Sequence, residues 1–136
     1  MNVELMSNSD NVFRGGLTPK YIDVPELLYH LSVQAVYPKV LRGDVISPVE
    51  RVYRTPAPDF EVSSIYLQIG QRYYRTPDTP DILIVLEGRI HVDTPHGSFG
   101  RGQGEVFFAG AGSEYSITPI DNCTLYRATV PSNLNL

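Results

Sequence analysis

From about Val45 onward, apolar and polar positions alternate in short runs separated by Pro, Gly and Asp, the period-two signature of strands. Phe60 and Val62 share one phase, whereas Ile65, Leu67 and Ile69 share the opposite one, which predicts a bulge near Ser63–Ser64. Ile82 to Leu86 is apolar on both faces and predicts a central strand. Glu87-Gly88 then predicts a two-residue hairpin turn, because Gly accepts a positive φ, and Ile90 and Val92 resume the alternation. Val106-Phe107-Phe108, Tyr115 to Thr118 and Thr124 to Val130 complete the series. Upstream the spacing changes from strand-like to helical. Asp23 and Glu26 make a capping-box-like start with Pro25 in the first turn, and Val24, Leu27, Leu28 and Leu31 fall on one face. Those residues predict one helix near residues 24–31.

At the N-terminus Val3 and Leu5 alternate with Asn2, Glu4 and Met6, which predicts a strand. A strand with no lead-in implies a polypeptide cut from something longer. Ser7 to Lys20 reads as a polar, glycine-bearing loop. Three zones follow: residues 1–20 as strand and loop, 21–44 as helix and linker, and 45–136 as a β domain. Eight or so strand candidates and one short helix near the start make the chain mainly β, a jelly roll or barrel of the cupin type.

Composition narrows the function classes. At 136 residues, with 42% hydrophobic and 19% charged residues, the chain suits one soluble domain with a real core. The run Ile82–Leu86 is far too short to span a bilayer, and no signal-peptide pattern opens the chain. A net charge of −4 without a Lys/Arg cluster argues against nucleic acid and anionic membranes as partners. The single cysteine, Cys123, has no partner for an internal disulfide and reads as a small buried residue of a strand, in keeping with a reducing cytoplasm.

Candidate chemistry is sparse in the β region. A metal in a barrel mouth needs imidazoles at i and i+2 together with a carboxylate, and His30, His91 and His96 offer no such pair. His30 reads as solvated, His91 as facing away from the core and His96 as the tip of a turn. The turn Ala109-Gly110-Ala111-Gly112-Ser113-Glu114 carries Ser113 and Glu114 where metal-binding cupins carry a histidine. No nucleophile elbow or phosphate loop occurs, and Gly100, Gly102 and Gly104 read as a hairpin turn. The loop Ser9 to Lys20 is different. Gly15 and Gly16 expose backbone amides, Arg14 can grip a phosphate or carboxylate, and Lys20 adds a point charge. By residue type alone this loop is either an anion site or a set of turns capped by Asp10 and Asn11 with solvated charges.

The segment Ser9-Asp10-Asn11-Val12-Phe13-Arg14-Gly15-Gly16-Leu17-Thr18-Pro19-Lys20, running on through Tyr21-Ile22-Asp23-Val24, resembles the signature of type I phosphomannose isomerases. There a Ser-Asp-Asn-Val-x-Arg-(Ala/Gly)-Gly-(Leu/Phe)-Thr-Pro-Lys segment leads into an Asp-Val helix. The resemblance implies a C-terminal cupin-type domain of an enzyme that interconverts mannose 6-phosphate and fructose 6-phosphate. Residues 1–20 would then be the end of a catalytic-domain strand and a substrate loop. It implies a general base at Glu4, a role for Arg14 in substrate or transition-state charge, and pocket-lining roles for Asp10, Gly15, Gly16 and Lys20. Without the resemblance, Glu4 reads as the exposed position of an alternating strand. The family's zinc ligands, a glutamine, a glutamate and two histidines, lie upstream of this chain's counterpart. The expectation is therefore no metal or other cofactor in this chain, zinc in the complete enzyme, and no isomerisation by the chain alone. The other reading is a free-standing, metal-free cupin-like module for sugar-phosphate binding or oligomerisation. Self-association through an uncovered edge or apolar patch is expected in either case.

Overall fold

The computed structural model describes residues 2–8 and 13–131. The chain divides into two compact units, Met1–Met6 with Leu41–Leu136, and Ser7–Val40. In the first unit ten strands, β1 (Asp44–Ser47), β2 (Glu50–Tyr53), β3 (Glu61–Leu67), β4 (Tyr73–Arg75), β5 (Asp81–Glu87), β6 (Ile90–Thr94), β7 (Gly97–Arg101), β8 (Val106–Ala109), β9 (Tyr115–Pro119) and β10 (Cys123–Thr129), form two antiparallel sheets. One sheet has the order β1-β2-β3-β10-β5-β8, the other β4-β9-β6-β7. Ile65, Leu67, Leu83, Val85, Phe107 and Leu125 from the first sheet pack against Tyr73, Ile90, Val92, Tyr115 and Ile117 from the second. Burial of each fully enclosed Leu, Ile or Val contributes roughly 1.5–3 kcal/mol. This is a jelly roll, mainly β.

β5 is internal as its sequence predicts, paired with β10 on one side and β8 on the other. Several local expectations are corrected. The first concerns Ser63–Ser64. β3 pairs with β10 without interruption from Glu61 to Leu67, and Ser63, Ile65 and Leu67 are buried in one continuous phase. Ser63 belongs to the inward row, where its hydroxyl accepts from Arg127 Nη2 at 2.9 Å. A bulge instead lies in β5, where Val85 and Glu87 oppose the consecutive residues Leu125 and Thr124 and leave Leu86 over.

The second correction concerns Glu87-Gly88, which is not a hairpin turn. β5 and β6 lie in different sheets, and Gly88 carries the chain from one to the other. Its φ is +79°, and a Cβ there would stand 2.5 Å from the Asn122 carbonyl oxygen, so only Gly fits. The third is the strand expected at Asn2–Met6. Residues 2–8 join no ladder; Asn2–Leu5 instead run along the outer face of the six-stranded sheet beside Val62, Ile82, Ile84, Val106, Tyr126 and Ala128. The alternation of Val3 and Leu5 marks a sided segment, and hydrogen-bonded pairing requires a neighbouring strand that the pattern alone does not supply. Gly100 likewise sits within β7 opposite His91, so only Gly102 and Gly104 belong to the following turn.

In the second unit α1 covers Val24–His30. The Asp23 carboxylate accepts from the Glu26 backbone N–H at 3.1 Å, which satisfies one donor of the first turn. Glu26 does not return the bond. Its carboxylate lies 3.0 Å from His30 Nε2, one turn later. The apolar face expected on α1 is not buried: Val24, Leu28 and Leu31 are all more than half exposed, and only Leu27 is partly covered. A helix of 7 residues carries too little surface to bury a face within so small a unit.

Candidate functional site

The residues singled out in the sequence are divided between the two units. Glu4 belongs to the barrel unit, on the segment that runs over the six-stranded sheet, and its side chain is exposed. That segment and the sheet enclose a largely apolar groove of about 540 Å³. Arg14, Gly15, Gly16 and Lys20 belong to the helix unit. Asp10 lies outside the described residues. Arg14 is partly buried, and Lys20 is exposed, with its backbone N–H on the Thr18 hydroxyl at 3.2 Å. The two glycines do different work. A Cβ on Gly15 would stand 3.1 Å from Leu27 Cδ2, so Gly15 lets the loop lie close against α1. Nothing comes within 4 Å of a Cβ on Gly16, which leaves that backbone open to a ligand. The Phe13 and His30 rings stack with centroids 5.4 Å apart, a second tie between loop and helix.

The barrel interior holds a charged cluster that the sequence analysis missed. Arg127 lies in the inward row of β10 with Cys123, Leu125 and Thr129. Its Nε and Nη2 donate to Glu50 Oε1 at 3.1 and 2.7 Å, its Nη1 to Asp81 Oδ1 at 3.1 Å, and its Nη2 also to Ser63 Oγ at 2.9 Å. Asp81 Oδ2 accepts from Arg75 Nε at 2.7 Å and from the Tyr115 hydroxyl at 2.9 Å, and Glu50 Oε2 accepts from the Tyr73 hydroxyl at 2.9 Å. Two guanidinium groups thus face two carboxylates, so the cluster is neutral as a whole. Burial is the largest influence on Arg127 and opposes its charge, but Glu50, Tyr73 and Asp81 together outweigh it and raise the pKa. Burial pushes both tyrosine hydroxyls up, and the neighbouring carboxylates push them further. No buried side-chain N or O among the described residues lacks a partner. Every carboxylate oxygen in the cluster is engaged, so it offers no free base or acid and acts as a polar core. The signal was present in the phase: Arg127 alternates with Leu125, Asp81 with Leu83, and Glu50 with Val52.

Among the described residues no group of three or more His, Cys, Asp or Glu side chains comes together as a metal-ligand set. His91 lies 3.2 Å from Asp93, which Arg72 also approaches at 3.7 Å, and all three side chains are largely exposed.

No protein-family model matches the chain. Mannose-6-phosphate isomerase 1 of Arabidopsis thaliana is 34% identical over 131 residues, which are 96% of this chain and 30% of that protein. The solved mannose 6-phosphate isomerase of Salmonella typhimurium, described as bound to fructose 6-phosphate and zinc, superposes with a TM-score of 0.74 at 32% identity and covers 92% of this chain. This chain belongs with the mannose-6-phosphate isomerases. It spans about a third of the length of these relatives, 30% and 32% respectively. A cupin-2 domain protein of Shewanella frigidimarina, 17% identical with a TM-score of 0.52, supports the cupin fold and nothing further.

Proposed function

We propose that this chain supplies the C-terminal portion of an enzyme that interconverts mannose 6-phosphate and fructose 6-phosphate, and that it is inactive without the remainder. The observation that carries this reading is the Ser9–Lys20 segment within a chain 34% identical to an isomerase across nearly all its length. Aldose–ketose isomerisation removes the proton from C2 of the aldose, passes through an enediolate, and returns a proton at C1. It needs a base, a group that holds the developing oxyanion and a clamp for the phosphate. Glu4 is the candidate base. Arg14 is the candidate for the developing charge or the phosphate, and Asp10, Gly15, Gly16 and Lys20 are the candidates for lining the pocket. Gly16 suits that role because its backbone is open. Zinc, the family's metal, would be held by residues beyond this chain. The solved Salmonella protein is described with both fructose 6-phosphate and zinc, which supports the sugar phosphate as substrate. A cytoplasmic location fits one free, buried cysteine. No helix among the described residues is long and apolar enough to cross a membrane.

The test is turnover in the full-length protein. Arg14→Ala should lower the rate by on the order of 100- to 1000-fold, the usual loss of one donor to a developing charge. Its melting temperature should barely move. Arg14→Lys should restore activity only in part, since an ammonium keeps the charge but not the planar fork. Near-normal turnover in Arg14→Ala, or a fall in melting temperature that accounts for the loss, would return Arg14 to a structural role. The chain alone should show no isomerase activity with added zinc; turnover by the chain alone would refute its dependence on the remainder.

A further inference from the structure

α1 is too short to stand by itself and buries none of its residues, so it adds no face to a core. What it does carry is contact with the loop before it. Phe13 and Gly15, the residues on either side of Arg14, both lie against α1. The Phe13 ring stacks on the His30 imidazole, with centroids 5.4 Å apart and planes 30° apart. Gly15 comes so near Leu27 that an added Cβ would stand 3.1 Å from its Cδ2. Leu27 and His30 are three residues apart and are therefore neighbours on the helix surface. The loop is thus tied down on each side of Arg14, at two adjacent positions of one helix turn.

The helix end that receives Phe13 is itself fixed. Glu26 Oε1 lies 3.0 Å from His30 Nε2, one turn back along α1. The Tyr29 ring stands edge-on to the imidazole, with centroids 5.0 Å apart and planes 86° apart. Glu26 is held in turn, because its backbone N–H donates to the Asp23 carboxylate at 3.1 Å. The His30 ring therefore has a set plane, which is what a stacked partner needs. On the loop, Arg14 is partly buried while the adjoining Gly16 backbone stays open. We propose that α1 braces this loop and that His30 is a positioning residue, which holds Phe13 and so fixes where Arg14 delivers its guanidinium. The brace rests on the reading of Arg14 as the group that meets the phosphate or the developing charge of the substrate. A long side chain serves such a charge well only from a fixed backbone, since a misplacement of about 1 Å can cost on the order of 100-fold in rate.

The test is turnover and melting temperature of variants of the full-length protein. His30→Ala should lower kcat/KM by roughly threefold to tenfold, the scale of one aromatic pair. The loss should fall in the same parameter, kcat or KM, that Arg14→Ala changes. His30→Phe keeps a ring on Phe13 and should restore most of the activity. In the Arg14→Ala background His30→Ala should add nothing, because no guanidinium is left to position. Melting temperatures should barely move, as α1 buries no residue. In the isotope-labelled chain, amide NMR should show His30→Ala shifting residues 13–16 and His30→Phe bringing them back towards the parent positions. Amides 13–16 unmoved, a loss additive with that of Arg14→Ala, or a fall in melting temperature that accounts for the loss would each overturn the brace. A silent Arg14→Ala overturns the reading of Arg14 and the brace with it. A sensitive Arg14 with a silent His30 overturns the brace alone.

Discussion

At the scale of single residues, Arg127 carries the heaviest consequence. It donates to Glu50, Asp81 and Ser63 inside the barrel, so truncation leaves Glu50 Oε1 and Asp81 Oδ1 without their guanidinium. Arg127→Ala should cost about 3–5 kcal/mol, because an uncompensated buried carboxylate is far worse than a missing contact. Tyr73→Phe removes one bond to Glu50 and leaves the ion pair, so it should cost about 1–2 kcal/mol. Urea midpoints of the two variants check the order, and equal or reversed losses would deny the cluster its place in the core. Cys123 gives a pH signature. Burial pushes its thiol from an ordinary 9.0 up to about 11. A raised pKa means that the folded state holds the proton more tightly. Its contribution is therefore complete below pH 9.0 and is lost as pH rises towards about 11. Stability should fall by roughly 2 kcal/mol across that window. Cys123→Ala should flatten the early part of the decline, and denaturation at stepped alkaline pH reads it directly. Tyr73 and Tyr115, also raised by burial, extend the same trend to higher pH.

At the scale of elements, the connection from β5 to β6 decides the architecture. β5 ends at a bulge around Leu86, and the next residues leave its sheet altogether. Gly88 makes that passage possible. A side chain there meets both a left-handed φ of +79° and the Asn122 carbonyl at 2.5 Å. Gly88→Ala should cost at least about 3 kcal/mol, the strain of the backbone added to that of the clash. Gly70 is a matched control. Its φ is +92°, but a Cβ would find nothing within 4 Å, so Gly70→Ala should cost only about 1–2 kcal/mol. Melting temperatures of the pair separate crowding from conformation. Similar losses at both positions would mean that the approach of Asn122 is relieved without cost.

At the scale of the whole molecule, the six-stranded sheet has an inner face that forms the core and an outer face that stays apolar. Ile82, Val106 and Phe108 are respectively 50%, 48% and 66% exposed on it, and Asn2–Leu5 run along part of it. We expect the isolated chain to self-associate through this face rather than through an edge left by an N-terminal strand, since residues 2–8 join no ladder. Light scattering should show mass rising with concentration. The double variant Ile82→Lys with Phe108→Lys should restore a monomer without loss of the fold, because both side chains point away from the core. A monomer in the parent chain at high concentration would refute this expectation. Far-UV circular dichroism of the parent should show mainly β structure with little helix.

What the sequence determined by itself is whatever depends on near neighbours. The start of α1 follows from Asp23 and Glu26, three residues apart, and the Asp23 half of the capping box forms. The inward row Ile65-Leu67 follows from alternation and is buried as the pattern demands, whereas the run Ile82–Leu86 is apolar on both faces and only the fold chose Leu83 and Val85 as its inward row, leaving Ile82 half exposed. The likeness to the isomerases lay in one unbroken segment, Ser9 to Lys20, and needed no fold at all. Tertiary structure alone decided which rows meet. Arg127 finds Glu50 77 positions away and Asp81 46 positions away, and only their convergence, with Arg75 on Asp81, turns four charges into a neutral cluster. The passage of Gly88 between sheets and the unpaired course of Asn2–Leu5 are likewise choices of partner. A period of two states that a segment has two faces. The strand it joins, and whether it joins one, is set by contacts distant in the chain, whose closure no local pattern encodes.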